Sequence, residues 1–168
     1  MARKSPLQGK KILIVDDEID VLETLEEGLG MCELAKASSF EQAKKLLETQ
    51  HFDFAILDIM GVNGYKLLEI ANQEKVSAIM LTAHALSPED IVKSHKEGAA
   101  SYVPKAKISD IEVVLSEILE AKEQGKNSWW HWRARFGSYF EKKFASKNDN
   151  QLEFLKENHV IRWEKYFH

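Results

Sequence analysis

Residues 11–18 read KILIVDDE, a compact apolar run that stops abruptly at three acidic residues. Consecutive β-branched and leucine residues bounded by charge are typical of a strand that is buried on both faces of a parallel sheet. From Ile19 onward the apolar residues recur at helical spacing, and Gly28 and Gly30 mark the expected end of that helix. A buried strand followed directly by a helix predicts an α/β fold.

The strand and helix pattern repeats along the chain until there are five alternations. The further predicted strands are Glu33–Ala37, Phe54–Leu57, Ala78–Leu81 and Ser101–Val103, and the helices that follow them begin after Ser39, at Tyr65, at Pro88 and at Ser109 or Asp110. Such alternation predicts a doubly wound, five-stranded parallel sheet with helices on both faces.

Polar side chains stand at the carboxyl ends of four of these strands. They are Asp16 and Asp17 after the first strand, Asp58 after the third, Thr82 after the fourth and Lys105 after the fifth. Parallel α/β sheets place their ligand crevice at this edge, so we expect these groups to converge. Three close carboxylates repel one another unless a cation is present, and Mg²⁺ suits carboxylate and phosphate oxygens. A phosphoryl group on Asp58 would be stabilised by the metal, the Thr82 hydroxyl and the Lys105 ammonium.

Four segments, ILIVDDE, FAILDIM, IMLTA and YVPK, resemble the receiver domain of two-component response regulators. The resemblance covers about two thirds of the chain and implies a flavodoxin-like sheet of strand order 2-1-3-4-5. It implies a phosphoprotein in which Asp58 accepts a phosphoryl group from a sensor histidine kinase or a histidine phosphotransfer protein. It also implies that the domain is not an enzyme in the usual sense, because it catalyses only its own phosphorylation and dephosphorylation.

The same resemblance assigns finer roles to individual residues. Asp17 would ligate Mg²⁺ directly and Asp16 would assist through a water molecule, with Asp58 and the Met60 backbone carbonyl as further ligands. Tyr102 matches an aromatic that swings inward on activation in this family, although a packed edge aromatic is an equally good interpretation. The loop after Asp58 is about two residues short and lacks the usual proline. An apolar Met60 positions water poorly, so we expect slow self-dephosphorylation.

Charge and aromatic residues divide the chain near Gly125. Residues 1–124 carry 14 basic and 22 acidic side chains, whereas residues 125–168 carry 9 basic and 5 acidic ones. Eleven of the 16 aromatic residues, including all four tryptophans, lie in this last part. The predicted division is therefore a leader at 1–10, a receiver domain at 11–124 and a helical, aromatic-rich extension at 125–168.

The extension places aromatic residues at helical spacing. Trp129, Trp132, Phe136, Phe140 and Phe144 would share one helical face, with Arg133, Arg135, Lys142 and Lys143 around it. A second segment, Leu152–Phe167, repeats the pattern. The helices could fold back on the receiver or pair with each other, form a docking or homodimer surface, or contact a membrane peripherally. The modest charge and short length argue against DNA binding.

Two functions follow as hypotheses. The first is a signalling switch in which phosphorylation of Asp58 pulls Thr82 inward and alters the face formed by the fourth helix, fifth strand and fifth helix, and with it the extension. The second is a phosphorelay intermediate or phosphate sink without a dedicated output. A phosphatase of the haloacid dehalogenase type is disfavoured because its Asp-x-Asp motif is absent. The single cysteine, Cys32, and the lack of a signal-peptide pattern predict a cytoplasmic location.

Overall fold

A computed structural model describes residues 4–83 and 87–145 of the chain. Its strands are β1 (Lys11–Val15), β2 (Glu33–Ala37), β3 (Phe54–Asp58), β4 (Ser77–Thr82) and β5 (Ser101–Pro104). They form one parallel sheet in the order β2-β1-β3-β4-β5. The predicted fold class and strand order are therefore confirmed.

Six α-helices in the described part of the chain connect or follow these strands. They are α1 (Ile19–Gly28), α2 (Phe40–Thr49), α3 (Gly64–Gln73), α4 (Pro88–Lys96), α5 (Ile111–Glu123) and α6 (Trp129–Ala145). Serine residues cap the N-termini of α2 and α4. The Ser39 hydroxyl accepts a hydrogen bond from the Gln42 amide, and the Ser87 hydroxyl accepts one from the Asp90 amide. Asp110, one of the two residues predicted to open the fifth helix, is its N-cap, although its side chain makes no capping bond and a 3₁₀ turn over Lys105–Asp110 precedes the helix.

The central strand carries the core. Every residue of β3 is buried, as the continuous apolar run FAIL predicts for a strand covered on both faces. Asp58 ends this strand, so the acceptor candidate is attached to a strand that is buried along its whole length. Burial of β3 fixes where that carboxylate can lie.

The helix α6 packs against β5 and α5 and covers the open edge of the sheet. Trp129, Trp132, Phe136 and Phe140 are all buried there, which is the folded-back arrangement among the alternatives for this segment. Arg133 is also buried, with 4% of its surface exposed, so the expectation that it flanks the aromatic face is wrong. We call the contact that α6 makes, through Trp129 and Trp132, with β5 and the residues just before it the β5–α6 seam.

Some sequence predictions lie outside the described part of the chain. The second aromatic segment, Leu152–Phe167, falls there, as does the side chain of Phe144. The division into leader, receiver and extension stays a prediction. None of the helices formed by the described residues is both long and apolar enough to cross a bilayer.

Candidate functional site

The carboxyl ends of the strands open into a cleft of about 430 Å³. Its walls include Asp17, Asp58, Met60, Thr82 and Lys105. Asp16 lies beside it, fully buried, and Thr82 is 5% exposed. The structure therefore brings together the site residues predicted from four separate segments, while their individual roles stay predictions.

Lys105 links the two buried carboxylates of the cleft. Its Nζ lies 2.8 Å from Asp16 Oδ2 and 3.4 Å from Asp58 Oδ1. The other oxygen of Asp16 accepts a hydrogen bond of 2.9 Å from the Glu18 amide. The ammonium also lies 3.2 Å from Glu18 Oε1, a contact that sequence reasoning missed because an exposed glutamate in a loop carries no distinguishing pattern. Lys105 is thus already poised among anionic oxygens.

The surroundings of the cleft destabilise the ionised forms of Asp16 and Asp58, even with Lys105 beside them. Burial, followed by the charge of Asp16, raises the pKa of Asp58 to about 6, although Lys105 acts in the opposite direction. Burial also raises the pKa of Asp16. Burial alone would lower the pKa of Lys105, but its bond to Asp16 and the neighbouring charges raise it. The cleft therefore holds more negative charge than Lys105 offsets.

Two glycines let the short loop after Asp58 pass close to the site. Gly61 has φ +80°, and a Cβ at this position would lie 2.6 Å from Asp17 Oδ2. A Cβ on Gly64 would collide with the backbone carbonyl oxygen of Asp58. Because no larger residue fits at either position without movement, the loop presses the start of α3 against the acceptor strand.

The donor set fits a hard divalent cation. Carboxylate oxygens of Asp16, Asp17 and Glu18 lie within 4.8 Å of one another, and such oxygens are the ligands that Mg²⁺ prefers. Sequence reasoning named Asp58 and the Met60 carbonyl rather than Glu18 as the further ligands. The Met60 carbonyl accepts a hydrogen bond from the Val62 amide at 2.9 Å, which leaves a second lone pair for a metal. The Met60 side chain is 75% exposed.

Tyr102 lies inside the protein rather than at its surface. Its side chain is completely buried, and its ring centroid is 6.1 Å from that of Phe140 in α6. Burial, and then the charge of Asp90, raises the pKa of the Tyr102 hydroxyl, while a bond to Thr82 acts to lower it. The structure shows the packed interpretation of Tyr102, whereas its role as a switch stays a prediction.

Comparisons with known proteins agree on one family. The family model described as "Response regulator receiver domain" matches residues 12–116. A two-component response regulator of Arabidopsis thaliana, ARR12, is 30% identical over 131 residues, which cover 71% of this chain and 22% of that protein. The probable transcriptional regulator ycf27 of Cyanophora paradoxa is 35% identical over 104 residues, 59% of this chain and 43% of that protein.

A solved structure shows the same architecture. The CheY-like response regulator receiver domain protein of Methanospirillum hungatei aligns with a TM-score of 0.59 and 26% identity, over 69% of this chain and 98% of that one. This chain spans less than half of the length of the two curated relatives, so their activities beyond the shared domain do not transfer. The family match covers well over half of the chain and coincides with the acidic cleft, so the chain belongs to the response regulator receiver domain family.

Proposed function

We propose that this chain is a phosphorylation-dependent switch of a two-component system, with Asp58 as the phosphoryl acceptor. The observation that carries the proposal is the position of Lys105 Nζ, which lies 2.8 Å from Asp16 and 3.4 Å from Asp58 at the mouth of the cleft. From this point the Lys105 ammonium can move from the Asp58 carboxylate to an oxygen of a phosphoryl group that binds there. The phosphoryl donor would be a sensor histidine kinase or a histidine phosphotransfer protein.

The transfer itself needs little covalent chemistry from the protein. A carboxylate oxygen of Asp58 attacks phosphorus, the bond from phosphorus to the donor imidazole nitrogen breaks, and an acyl phosphate forms. The Thr82 hydroxyl and the Lys105 ammonium would each bind a phosphoryl oxygen. Mg²⁺ held by Asp16, Asp17, Asp58 and the Met60 carbonyl would supply the remaining charge stabilisation.

The seam gives a route from the cleft to an output. Lys105 directly follows β5, and the Trp132 indole N–H donates a 2.6 Å hydrogen bond to the carbonyl of Tyr102 in that strand. A movement of Lys105 toward a phosphoryl group would therefore pull on backbone that α6 also binds. We infer that phosphorylation alters the face formed by α4, β5 and α5, and with it the position of α6.

A small phosphodonor such as acetyl phosphate, supplied with Mg²⁺ to the full chain, tests the acceptor. Intact mass should rise by one phosphoryl group in the wild type and in Asp20→Asn, which alters an exposed carboxylate of α1, and should not rise in Asp58→Asn. Modification of Asp58→Asn at the wild-type rate, or of neither protein, would overturn the assignment of Asp58. Omission of Mg²⁺ should suppress the reaction.

Tryptophan fluorescence separates the switch from the alternative function. Trp129 and Trp132 lie in the seam, so a switch should change their emission when Asp58 is phosphorylated, together with partner binding or self-association through the extension. A phosphorelay intermediate would instead pass the phosphoryl group to a second histidine protein without such a change. The cytoplasmic location inferred from the single cysteine stays a prediction.

A further inference from the structure

A hydrogen-bonded group connects α3 to α4 behind the cleft. The Tyr65 hydroxyl donates a 2.8 Å bond to Asp90 Oδ1, while the Ser87 hydroxyl donates a 3.0 Å bond to Asp90 Oδ2. Ser87 in turn accepts from the Asp90 amide at 3.0 Å, which closes a reciprocal cap at the start of α4. Both oxygens of the Asp90 carboxylate are therefore held in place. We call the Tyr65–Asp90 bond the clasp.

The clasp joins the two segments that flank the acceptor. Tyr65 follows Gly64, whose backbone lies against the Asp58 carbonyl, so Tyr65 is fixed relative to the acceptor strand. Asp90 lines the same cleft as Asp58 and Thr82. Its charge also reaches the buried Tyr102 hydroxyl, whose pKa is raised first by burial and next by Asp90. The clasp thus fixes the position of the Asp90 carboxylate in the wall of the cleft.

Asp90 has no part in the metal and phosphoryl binding described above. Its carboxylate is not among the group of oxygens within 4.8 Å that suits a cation, which consists of Asp16, Asp17 and Glu18 among the described residues. An anion on the wall of this cleft repels a phosphoryl group, which carries up to two negative charges. The position of Asp90 is thus unfavourable for the phosphorylated state and is maintained by Tyr65.

We propose that Tyr65 and Asp90 are positioning residues for the phosphoacceptor reaction, in which the clasp holds the Asp90 carboxylate on the cleft wall and limits phosphoryl occupancy of Asp58. The inference rests on the proposed function. Release of the clasp leaves the half-buried Asp90 carboxylate with the Ser87 hydroxyl bond alone, so that the side chain can turn toward solvent, where water screens its charge. The clasp therefore keeps the unphosphorylated state favoured until a strong donor acts.

The test compares five full-length proteins at one concentration of acetyl phosphate and Mg²⁺: the wild type, Asp90→Asn, Tyr65→Phe, the double variant that carries both changes, and Glu89→Gln. Asp90→Asn removes the charge and keeps an oxygen that can accept from Tyr65, whereas Tyr65→Phe removes only the hydroxyl. Glu89→Gln is the matched control, because Glu89 is an exposed carboxylate in the same turn of α4. The readout is the phosphorylated fraction of Asp58, and thermal unfolding confirms that each variant folds.

We expect Asp90→Asn to raise the ratio of phosphorylated to free protein by roughly threefold to tenfold, as removal of one nearby charge does. Tyr65→Phe should raise the ratio by a smaller factor, and it should add little in the Asp90→Asn background because the two residues act as a unit. The effect of Asp90→Asn should shrink as salt rises from about 0.05 M to about 0.5 M. Glu89→Gln should match the wild type.

The outcomes separate failure of this inference from failure of the proposed function. If the wild type and Glu89→Gln take no phosphoryl group on Asp58, the proposed function fails and the inference fails with it. If they take one and Asp90→Asn is equal to or below the wild type, only the inference is overturned. Additive effects of Tyr65→Phe and Asp90→Asn, or an effect that salt leaves unchanged, would equally overturn it.

Discussion

The cleft and the β5–α6 seam are two edges of one sheet with opposite electrostatic character. In the cleft, Asp16 and Asp58 are buried carboxylates whose pKa values are raised, and Lys105 offsets only part of their charge. In the seam, the indole N–H groups of Trp129 and Trp132 donate to the carbonyls of Ala99 and Tyr102 at 2.7 and 2.6 Å. The cleft thus has negative charge that a bound cation would neutralise, whereas the indole donors of the seam already have hydrogen-bond acceptors.

This contrast suggests that the cleft provides the reactive groups, whereas the seam contributes to the stability of the fold. A group held in an unfavourable charge state gains when a cation or phosphoryl group arrives, so a change in the cleft can move the free energy of unfolding in either direction. A buried hydrogen bond whose donor and acceptor are already paired cannot be improved by a ligand, so a change in the seam should only lower the free energy of unfolding. The variants below probe that asymmetry, and all are compared by denaturant unfolding at 25 °C.

The largest effect should come from Lys105→Met. Loss of the ammonium leaves Asp16 and Asp58 as buried, uncompensated carboxylates, and breaking a buried pair from one side costs about 4 kcal/mol in unfolding free energy. The loss should be smaller at pH 5, because the Asp58 pKa of about 6 means that this carboxyl is then mostly protonated. Lys66→Met, an exposed lysine of α3, should stay within about 0.5 kcal/mol of the wild type.

Mg²⁺ gives this variant a second test. A bound cation replaces part of the missing positive charge, so Mg²⁺ should stabilise Lys105→Met more than it stabilises the wild type. If Lys105→Met unfolds at the same denaturant concentration as Lys66→Met at pH 7, the cleft does not carry the unbalanced charge described here.

The second effect should have the opposite sign. In the absence of divalent cations, Asp58→Asn should raise the unfolding free energy at pH 7 by about 2 to 3 kcal/mol, because a rise of the pKa from 3.8 to about 6 is a cost of that order for the ionised form. The folded protein binds more protons than the unfolded chain between about pH 4 and pH 6. Wild-type stability therefore falls as pH rises through this window.

The gain of Asp58→Asn should consequently be small near pH 4 and complete above pH 6. Mg²⁺ should reduce it, since the cation stabilises the carboxylate that the variant lacks. Asp20→Asn is a control with the same chemical change at an exposed site of α1. A variant that gains equally at pH 4 and pH 7 would show that Asp58 is not destabilised by its own charge.

The sequence predicted the sheet better than it predicted the contacts between its parts. Apolar runs such as FAIL of β3, which lies between Asp53 and Asp58, predict buried strands, and their alternation with helices predicts a parallel sheet. The order of the strands came instead from the resemblance to receiver domains. Convergence of Asp16, Asp58 and Lys105 follows from parallel strands alone. The functional roles of these residues remain predictions, since proximity does not demonstrate phosphorylation.

Contacts between side chains that are far apart in the sequence were harder to predict, because the sequence shows no pattern for them. The segment Ser87–Asp90 has the spacing of a reciprocal cap, but nothing in it indicates that Tyr65 binds Asp90 from another helix. The aromatic face of α6 was evident, whereas its partner β5 was not. Arg133 lies four residues after Trp129 and three before Phe136, which places it on the buried face; its charge suggested the opposite, and helical spacing was the better guide.

The third effect belongs to the seam and should be a moderate loss. Trp132→Phe keeps an aromatic ring against Phe140 but leaves the buried Tyr102 carbonyl without its indole donor, which should cost about 1.5 kcal/mol. Trp130→Phe is the matched control, because Trp130 is 43% exposed and lies in the same turn of α6; it should change stability by less than about 0.5 kcal/mol. Equal effects at both positions would show that α6 is not anchored through β5.

The smallest effect should come from the polar rim of the seam. Arg135 of α6 pairs with Glu117 of α5, and both side chains remain partly exposed to water. Ion pairs in such positions contribute about 0.5 kcal/mol or less, and salt screens them. Arg135→Gln should therefore lower the unfolding free energy by no more than that amount at low salt and leave it unchanged at about 1 M salt. A loss as large as that of Trp132→Phe would mean that charge, rather than the buried aromatic contacts, holds α6 in place.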